Sequence, residues 1–521
     1  MSVWAILFDT RSIQRYIFSG SKLRTNIGAS YIVSNVFQRV LVDDILKRRY
    51  GEVDERWINS VVDFSSEPEK SCQVAYIGGG NALILFREAD QGECESIVYE
   101  FTKKLLYKYP GLQTGVAIGK LDFSTEAAFH ETNQRLYNQL KQNQSTVFPQ
   151  VNVPYTGITH ICDVNGEAAN AYWYEEGASG RYVSRETWAK NDAEREAQRK
   201  LEDEFTNVLG GKFNFPRKLE NMGQTPGENY IAAVHIDGNN MGLKFEILNL
   251  TERIELSKKV EKKVHRAFAS LLGEIVGEYK DYASSLQLAE EAGLTCVPIR
   301  PIILGGDDIT FLCAAKAALS YTVRFMKAMM DKKNEDDISI DCCAGIAIQR
   351  TSYPFFRLYE LAEQACGEAK KEAHKCIGSS WLDFVLLHGE QAPTLAEIRT
   401  AEYSGAWIRN LHFGPYEVAG DSTSERNISH LMECVYKLNQ DVRKRKLARN
   451  KLKEMRYQLQ MGEHDIYAFL EQLRHTGKNM PPVSGWQAYQ ESLWAMRGEQ
   501  RCTPYLDAVE MMDYCLTDSW G

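Results

Sequence analysis

The chain has 521 residues, 44% hydrophobic and 25% charged, which is an ordinary globular composition with enough length for three or four domains. Its net charge of −9 argues against bulk electrostatic attachment to nucleic acid but leaves room for a local basic groove. No apolar run approaches the roughly 20 residues of a bilayer span, and the N-terminus enters a strand pattern rather than a signal peptide, so the expectation is a cytoplasmic protein without membrane attachment.

In chain order, Ala5-Ile6-Leu7-Phe8-Asp9 reads as an apolar strand ending in an acid. Tyr76 to Phe86 reads as a hairpin with Gly78, Gly79, Gly80 and Asn81 at its tip, followed by the strand Thr114–Gly119 and the helix Ala127–Leu140. Residues 1–150 form a first domain on this reading. Residues 151–228 form an insertion whose Asn191–Phe205 segment, rich in Glu, Arg and Ala, predicts an exposed helix. Tyr230 to Asp237 is again a strand ending in an acid, before the turn Gly238-Asn239-Asn240-Met241-Gly242. Thr251–Tyr282 predicts one long amphipathic helix, with Leu256, Val260, Val264, Phe268, Leu271 and Leu272 near 3.6-residue spacing. Ile302–Leu312 is a hairpin with Gly305-Gly306-Asp307-Asp308 at its tip, followed by the strand Ala344–Ile348 and the helix Leu358–Ala373. These elements make residues 229–390 a second domain. Residues 391–521 read as helical, with Ile428–Met461 the longest run and a loop at Gly477–Gly485. A basic run, Arg443 to Lys446 with Arg449, Lys451, Lys453 and Arg456, suits either phosphate contact or a solvated helix face. The twelve cysteines include no Cys-x-x-Cys pair, so neither a disulfide framework nor a cysteine zinc site is expected.

The second domain repeats the first at an offset near 228 residues. Asp9 corresponds to Asp237, Gly80 and Asn81 to Asp307 and Asp308, and Thr114-Gly115 is matched to Ala344-Gly345. The order of strand, helix, hairpin, strand and helix is the split βαβ arrangement of a ferredoxin-like palm, an antiparallel sheet with helices on one face. The fold class is therefore α+β, with two palms, a helical insertion and a helical C-terminal domain. This layout sets the first strand beside the hairpin, so Asp237 is expected to face Asp307 and Asp308.

A Gly-Asp tip alone marks only a hairpin, and an Asp before Gly commonly caps a turn or helix. Together the two motifs point to Mg²⁺, which takes one or two carboxylates plus phosphate and water oxygens. Three clustered carboxylates would repel and raise one another's pKa without a cation between them. The first palm keeps one acid of the three, so only the second is expected to hold a catalytic metal pair.

The two palms, the Gly305–Asp308 tip and the Asp237–Gly242 turn resemble the large polymerase/cyclase subunit of type III CRISPR effector complexes, whose palms are nucleotidyl cyclase-like. Phe18–Asn35 resembles that family's first-palm helix, Cys162–Ala168 the segment between its palms, and Trp381–Phe384 with Gly414–Tyr416 its palm-to-tail junction. The resemblance implies a nucleotidyltransferase that condenses ATP into cyclic oligoadenylates, with Mg²⁺ or Mn²⁺ held by Asp237, Asp307 and Asp308. It implies nucleotide contacts from Gly305, Gly306, Gly238, Asn239 and Asn240, and from Gly78, Gly79 and Gly80 of the first palm. Lys370 falls where relatives place an Ala-Lys pair that grips triphosphate. Partners implied are nucleoside triphosphates, CRISPR effector subunits and guide or target RNA, with self-association left open. The chain departs from many members in lacking an HD nuclease segment before the first palm and the zinc-binding cysteine cluster, so no DNase activity is expected. Asn239 stands where a further acid is common. A cyclase making a mono- or dinucleotide ring and a non-catalytic nucleotide-binding scaffold are the alternatives.

Overall fold

The computed structural model describes every residue except 1, 52, 54, 56–70, 147–156, 175–178, 224–228, 334–336, 390–393, 406, 409, 420–422 and 517–521. The chain forms two compact units, one of residues 1–204, 240–264 and 302–307, the other of 205–239, 265–301 and 308–521.

The first unit is built on a four-stranded antiparallel sheet of order β2-β3-β1-β4, with β1 at Ser2–Arg11, β2 at Cys72–Gly78, β3 at Asn81–Phe86 and β4 at Gln113–Asp122. Both faces of this sheet are covered, not one. Val3, Ala5 and Leu7 point to one face and pack with Phe129, Leu136 and Leu140 of the helix Glu126–Gln144. Phe8 points to the other and meets Phe37 and Phe101 at ring-centroid distances of 5.8 and 5.0 Å. The cause is visible in Ala5-Ile6-Leu7-Phe8: a strand with one wet face alternates apolar and polar residues, and this one does not.

The helix predicted at Asn191–Phe205 spans Arg185–Glu204 and is not an exposed one, because it packs along Leu23–Val36. Gly28 permits the approach, since a Cβ there would lie 1.7 Å from the Lys190 carbonyl oxygen. Its polar residues enter the interface because they are paired: Lys190 Nζ donates to the Tyr16 carbonyl at 2.6 Å and binds Glu186, and Thr25 donates to Asn191 at 2.9 Å. Beside it, the outer hairpin of β5 (Ala171–Trp173) and β6 (Arg181–Val183) closes a small core with Cys162 and Val164.

The second unit carries β8 (Tyr230–Gly238), β12 (Asp308–Ala314), β13 (Cys342–Arg350), β14 (Ser380–Leu386) and β15 (Tyr416–Ala419); with β11 (Ile299–Gly305) they form a six-stranded sheet of order β11-β12-β8-β13-β14-β15. The pairs β8–β12 and β8–β13 are antiparallel and β13–β14 is parallel. The tail thus supplies one edge strand of this sheet. The helix Phe355–Ala373 lies on one face, while Phe311 reaches Phe325 of the helix Ala318–Met330 on the other, 6.2 Å between centroids. A three-stranded sheet joins β7 (Phe213–Asn214), β10 (Leu294–Cys296) and β9 (Glu290–Glu291), and β16 (Ala495–Arg497) pairs with β17 (Gln500–Cys502) near the end of the tail.

The long helix expected at Thr251–Tyr282 is two helices, Leu250–Gly277 and Tyr279–Leu286, broken at Glu278. Gly277 ends the first, as glycine favours. Phe268 of this helix packs against Phe205 and Phe215, at 5.3 and 6.4 Å between centroids. Among the described residues, no helix is long and apolar enough to cross a membrane.

Candidate active site

Strand register sets which acids face one another. β8 and β12 run antiparallel with Asp237 directly opposite Asp308, and two residues back His235 faces Thr310. Because side chains alternate along a strand, these four share one face of the sheet, the face covered by the helix Phe355–Ala373. On the other side of β8 the same face carries Cys343 opposite Asp237 and Gly345 opposite His235.

Gly345 determines how close that helix comes. A Cβ there would lie 1.9 Å from the Ala362 carbonyl oxygen and 2.4 Å from the Cys366 nitrogen, so only glycine allows this approach. Cys343, Cys366, Ala369, Ala373 and Trp381 fill the space beyond it. On this bed Lys370 stands one turn before the helix end, and its Nζ meets Asp237 Oδ2 at 2.6 Å. Burial would lower the lysine's pKa, but the hydrogen bond and charge of Asp237 outweigh it and the net direction is up. Lys370 therefore carries a full positive charge.

His235 is buried, with Nδ1 3.5 Å from Asp308 Oδ1 and 3.4 Å from Thr310 Oγ1. Its ring meets the buried Tyr359 edge-on at 5.5 Å. Burial lowers its pKa against the opposing pull of Asp237 and Glu363, so the imidazole is neutral at neutral pH. The sequence reading passed over His235 and Tyr359. The signal for His235 was its two-residue spacing from Asp237, which puts both on one face.

The remaining predicted residues lie around the strand ends. Gly306 and Asp307 form the turn between β11 and β12, Gly306 with φ +61°, and Asp307 immediately precedes Asp308. Gly305 ends β11 and Gly238 ends β8, opposite Cys342. Asn239 is held by its backbone N–H on the Asp341 carbonyl at 2.8 Å and by its side-chain amide on the Ser379 carbonyl at 3.0 Å. Asn240 adopts left-handed backbone geometry, φ +58°, before the helix Met241–Glu246.

Among the described residues, no group of three or more His, Cys, Asp or Glu side chains is arranged to hold a metal ion. In the strand register the acids that face each other are Asp237 and Asp308, with Lys370 on Asp237 and Asp307 next to Asp308 in the turn. Two carboxylates are a donor set that suits Mg²⁺ when substrate phosphates and water complete the octahedron.

In the first palm, Asp9 faces Asn81 across β1 and β3, as Asp237 faces Asp308, so Asn81 takes the position of Asp308. Burial raises the pKa of Asp9 against the lowering effect of its hydrogen bond from Gln144. The turn Gly79-Gly80, with φ +58° and +79°, is fixed by the Thr10 N–H on the Gly80 carbonyl at 2.8 Å. With one acid and an amide, this copy offers a cation far less charge. The register also corrects the sequence match of the later strands: Gly115 faces Asp9 as Cys343 faces Asp237, so Gly115 corresponds to Cys343, two residues from Gly345.

Residues 230–376 match the family model described as Cas10/Cmr2, second palm domain. Among solved structures, the chain is similar to that of a Csm1–Csm4 cassette in complex with pppApApA, at 12% identity and TM-score 0.53, covering 98% of this chain and 69% of that one. It is also similar to Csm1 of T. onnurineus, at 12% identity and TM-score 0.50, covering 99% of this chain and 70% of that one. At this identity the likeness establishes the fold. No curated protein matches the sequence.

Proposed function

We propose that this Cas10-like chain is a nucleotidyltransferase that condenses ATP into oligoadenylates, linear or closed into rings, with the second palm as its active centre. The observation that carries the reading is the register that sets Asp237 opposite Asp308, with Lys370 2.6 Å from Asp237, inside the segment that matches the Cas10/Cmr2 second palm. The pppApApA held by the similar Csm1–Csm4 cassette supports adenine as the base and a chain of nucleotides as the product.

In the reaction, a ribose hydroxyl oxygen of one nucleotide bonds to the α-phosphorus of another, the α–β bridging P–O bond breaks, pyrophosphate leaves, and the hydroxyl proton passes to solvent. Asp237 and Asp308, with Asp307 beside Asp308 in the chain, would hold divalent magnesium or manganese, which supplies charge neutralisation and lowers the pKa of the attacking hydroxyl. Lys370 offers a charged donor at the same edge, suited to triphosphate oxygens. His235, neutral and buried, lies 3.5 Å from Asp308 on the same face of the sheet. The glycines of the Gly305-Gly306 tip and Gly238 leave the strand ends bare, which lets phosphate approach the backbone. Alignment and charge are what phosphoryl transfer chiefly requires of a protein.

The first palm, with Gly78, Gly79 and Gly80 at its turn, is assigned nucleotide binding without chemistry. A Csm4-like subunit and guide or target RNA are the proposed partners, and the cytoplasm the proposed location. A scaffold that binds nucleotide without turnover is the second reading, favoured by the ion pair that engages Asp237. Mass spectrometry of products from mixed nucleoside triphosphates with Mg²⁺, with and without a target RNA, tests both. Oligoadenylates support the proposal, a cyclic mononucleotide replaces it with a cyclase, and unchanged substrates under both conditions support the scaffold.

A further inference from the structure

The basic run of the tail resolves into two parts with different fates. Along the helix Arg449–Met461 the cations are neutralised within the fold: Arg449 and Lys453 both meet Asp513, at 2.5 and 2.6 Å; Lys451 meets Glu454 at 2.7 Å; and Arg456 meets Glu510 and Glu402 at 2.7 and 3.1 Å. The four consecutive cations Arg443, Lys444, Arg445 and Lys446, between the helices Ile428–Arg443 and Arg449–Met461, are all exposed. Asp441 reaches Lys446 at 3.8 Å, and Lys444 and Arg445 make no side-chain ion pair among the described residues. Lys444 and Arg445 thus give the turn a local positive excess on a chain of net charge −9.

This excess is presented on a rigid support. Backbone N–H groups of Lys444, Arg445, Lys446 and Leu447 donate to the carbonyls of Gln440, Val442, Asp441 and Asp441, at 2.9, 3.0, 2.8 and 3.2 Å. Arg445 takes left-handed backbone geometry, φ +57°, and Leu447 is buried as an anchor. An ordered turn loses little backbone entropy when a ligand docks. Next to it stands an aromatic. Tyr436, Gln440 and Arg443 are spaced by four and three residues and so share one helix face; Tyr436 is 40% exposed, and Gln440 donates to its hydroxyl at 3.2 Å.

We propose that the turn carrying Lys444, Arg445 and Lys446, with Tyr436, is a docking site for single-stranded nucleic acid, these three cations taking successive phosphates and the tyrosine ring stacking a base. Clustered cations beside an exposed aromatic are the combination that recognises a flexible phosphodiester strand. An acidic protein face would use the cations but has no need of the ring. The site lies outside the second palm's nucleotide chemistry and does not depend on it.

The test is fluorescence anisotropy of a labelled 20-nucleotide single-stranded RNA, and of the DNA of the same sequence, against the full chain over a salt series. The turn variant combines Arg443→Gln, Lys444→Gln, Arg445→Asn and Lys446→Gln, asparagine being chosen because it tolerates positive φ. A control of equal charge change neutralises the exposed Lys103, Lys141, Lys212 and Lys262 to Gln. The expected result is affinity weakened about tenfold or more in the turn variant alone, with the slope of log K against log salt reduced by about 2 to 3, near 0.7 for each phosphate the turn no longer neutralises. Tyr436→Ala should weaken binding severalfold without altering that slope, which separates stacking from a folding defect. A stronger effect on RNA than on DNA assigns the strand as RNA, and equal effects assign either strand. Equal losses in turn variant and control, or no loss in the turn variant, overturn the proposal. So does retention of nucleic-acid binding by a turn variant that instead no longer binds a polyglutamate probe.

Discussion

Lys370 and Asp237 hold each other at 2.6 Å, and the lysine's raised pKa is the consequence of that contact. In the proposed reaction the lysine contributes charge to the triphosphate, so its removal should be felt in nucleotide affinity first. Lys370→Met, which keeps the aliphatic stem, is expected to raise KM for ATP about tenfold, the worth of one charge-assisted hydrogen bond, with the fold intact by thermal melting. An unchanged KM would assign the lysine to holding Asp237 alone. His235 shows why part of the site escaped the sequence reading. The strand–acid motif draws attention to Asp237, but the neighbours that surround a carboxylate come from register, and the Thr310–His235 pairing is not visible until β12 is laid against β8.

At the level of elements, one helix must approach one strand very closely for the site to exist. Gly345→Ala would place a methyl group against the Ala362 carbonyl and is expected to destabilise the chain by about 2–3 kcal/mol, measured by urea denaturation. The sequence showed a glycine in each later strand but misaligned the two by two residues, because the apolar pattern of a buried strand has no polar alternation to fix its phase. A second element-level feature is a buried charge network that ties the tail to the palm. His412 bridges Asp383 of β14 through Nε2 at 2.6 Å and Asp507 of the helix Tyr505–Met511 through Nδ1 at 3.0 Å. Arg399 meets Asp383 at 3.1 Å, and the Tyr416 hydroxyl donates to Asp507 at 2.6 Å. Burial and Arg399 push the His412 pKa down, the two carboxylates push it up, and the net direction is up. A histidine raised in the folded state contributes stability that is complete below its unfolded value, near 6.5, and is lost as pH rises through the folded value. Stability to urea should therefore fall as pH rises from about 6.5 through the raised folded value in the wild type, and be lower but flatter over that range in His412→Asn. A wild-type profile as flat as the variant's would show that His412 does not titrate with folding.

Across the whole molecule the decisive property is the difference between two copies of one architecture. Strands with an acid near their end, glycine-tipped hairpins and 19-residue helices following the fourth strand recur in both, and these were legible because they rest on local pattern. The double covering of the first sheet and the packing of Arg185–Glu204 were less so, since burial of charged side chains depends on partners distant in the chain, such as Tyr16 for Lys190. Asp9→Asn in the first palm, where Asn81 already replaces the second acid, is expected to leave ATP turnover within about twofold of wild type, because in the proposed reaction the first palm supplies no charge. A large loss there would assign chemistry to both copies.

The most direct measurement is pyrophosphate release from ATP with Mg²⁺ by the wild type, Asp237→Asn and Asp308→Asn side by side, with melting temperatures confirming that each is folded. The facing pair predicts that each substitution lowers the rate about a hundredfold or more, the scale of losing one electrostatic group at a phosphoryl-transfer centre. Rates equal to wild type in both variants would contradict the assignment of the second palm as the catalytic centre.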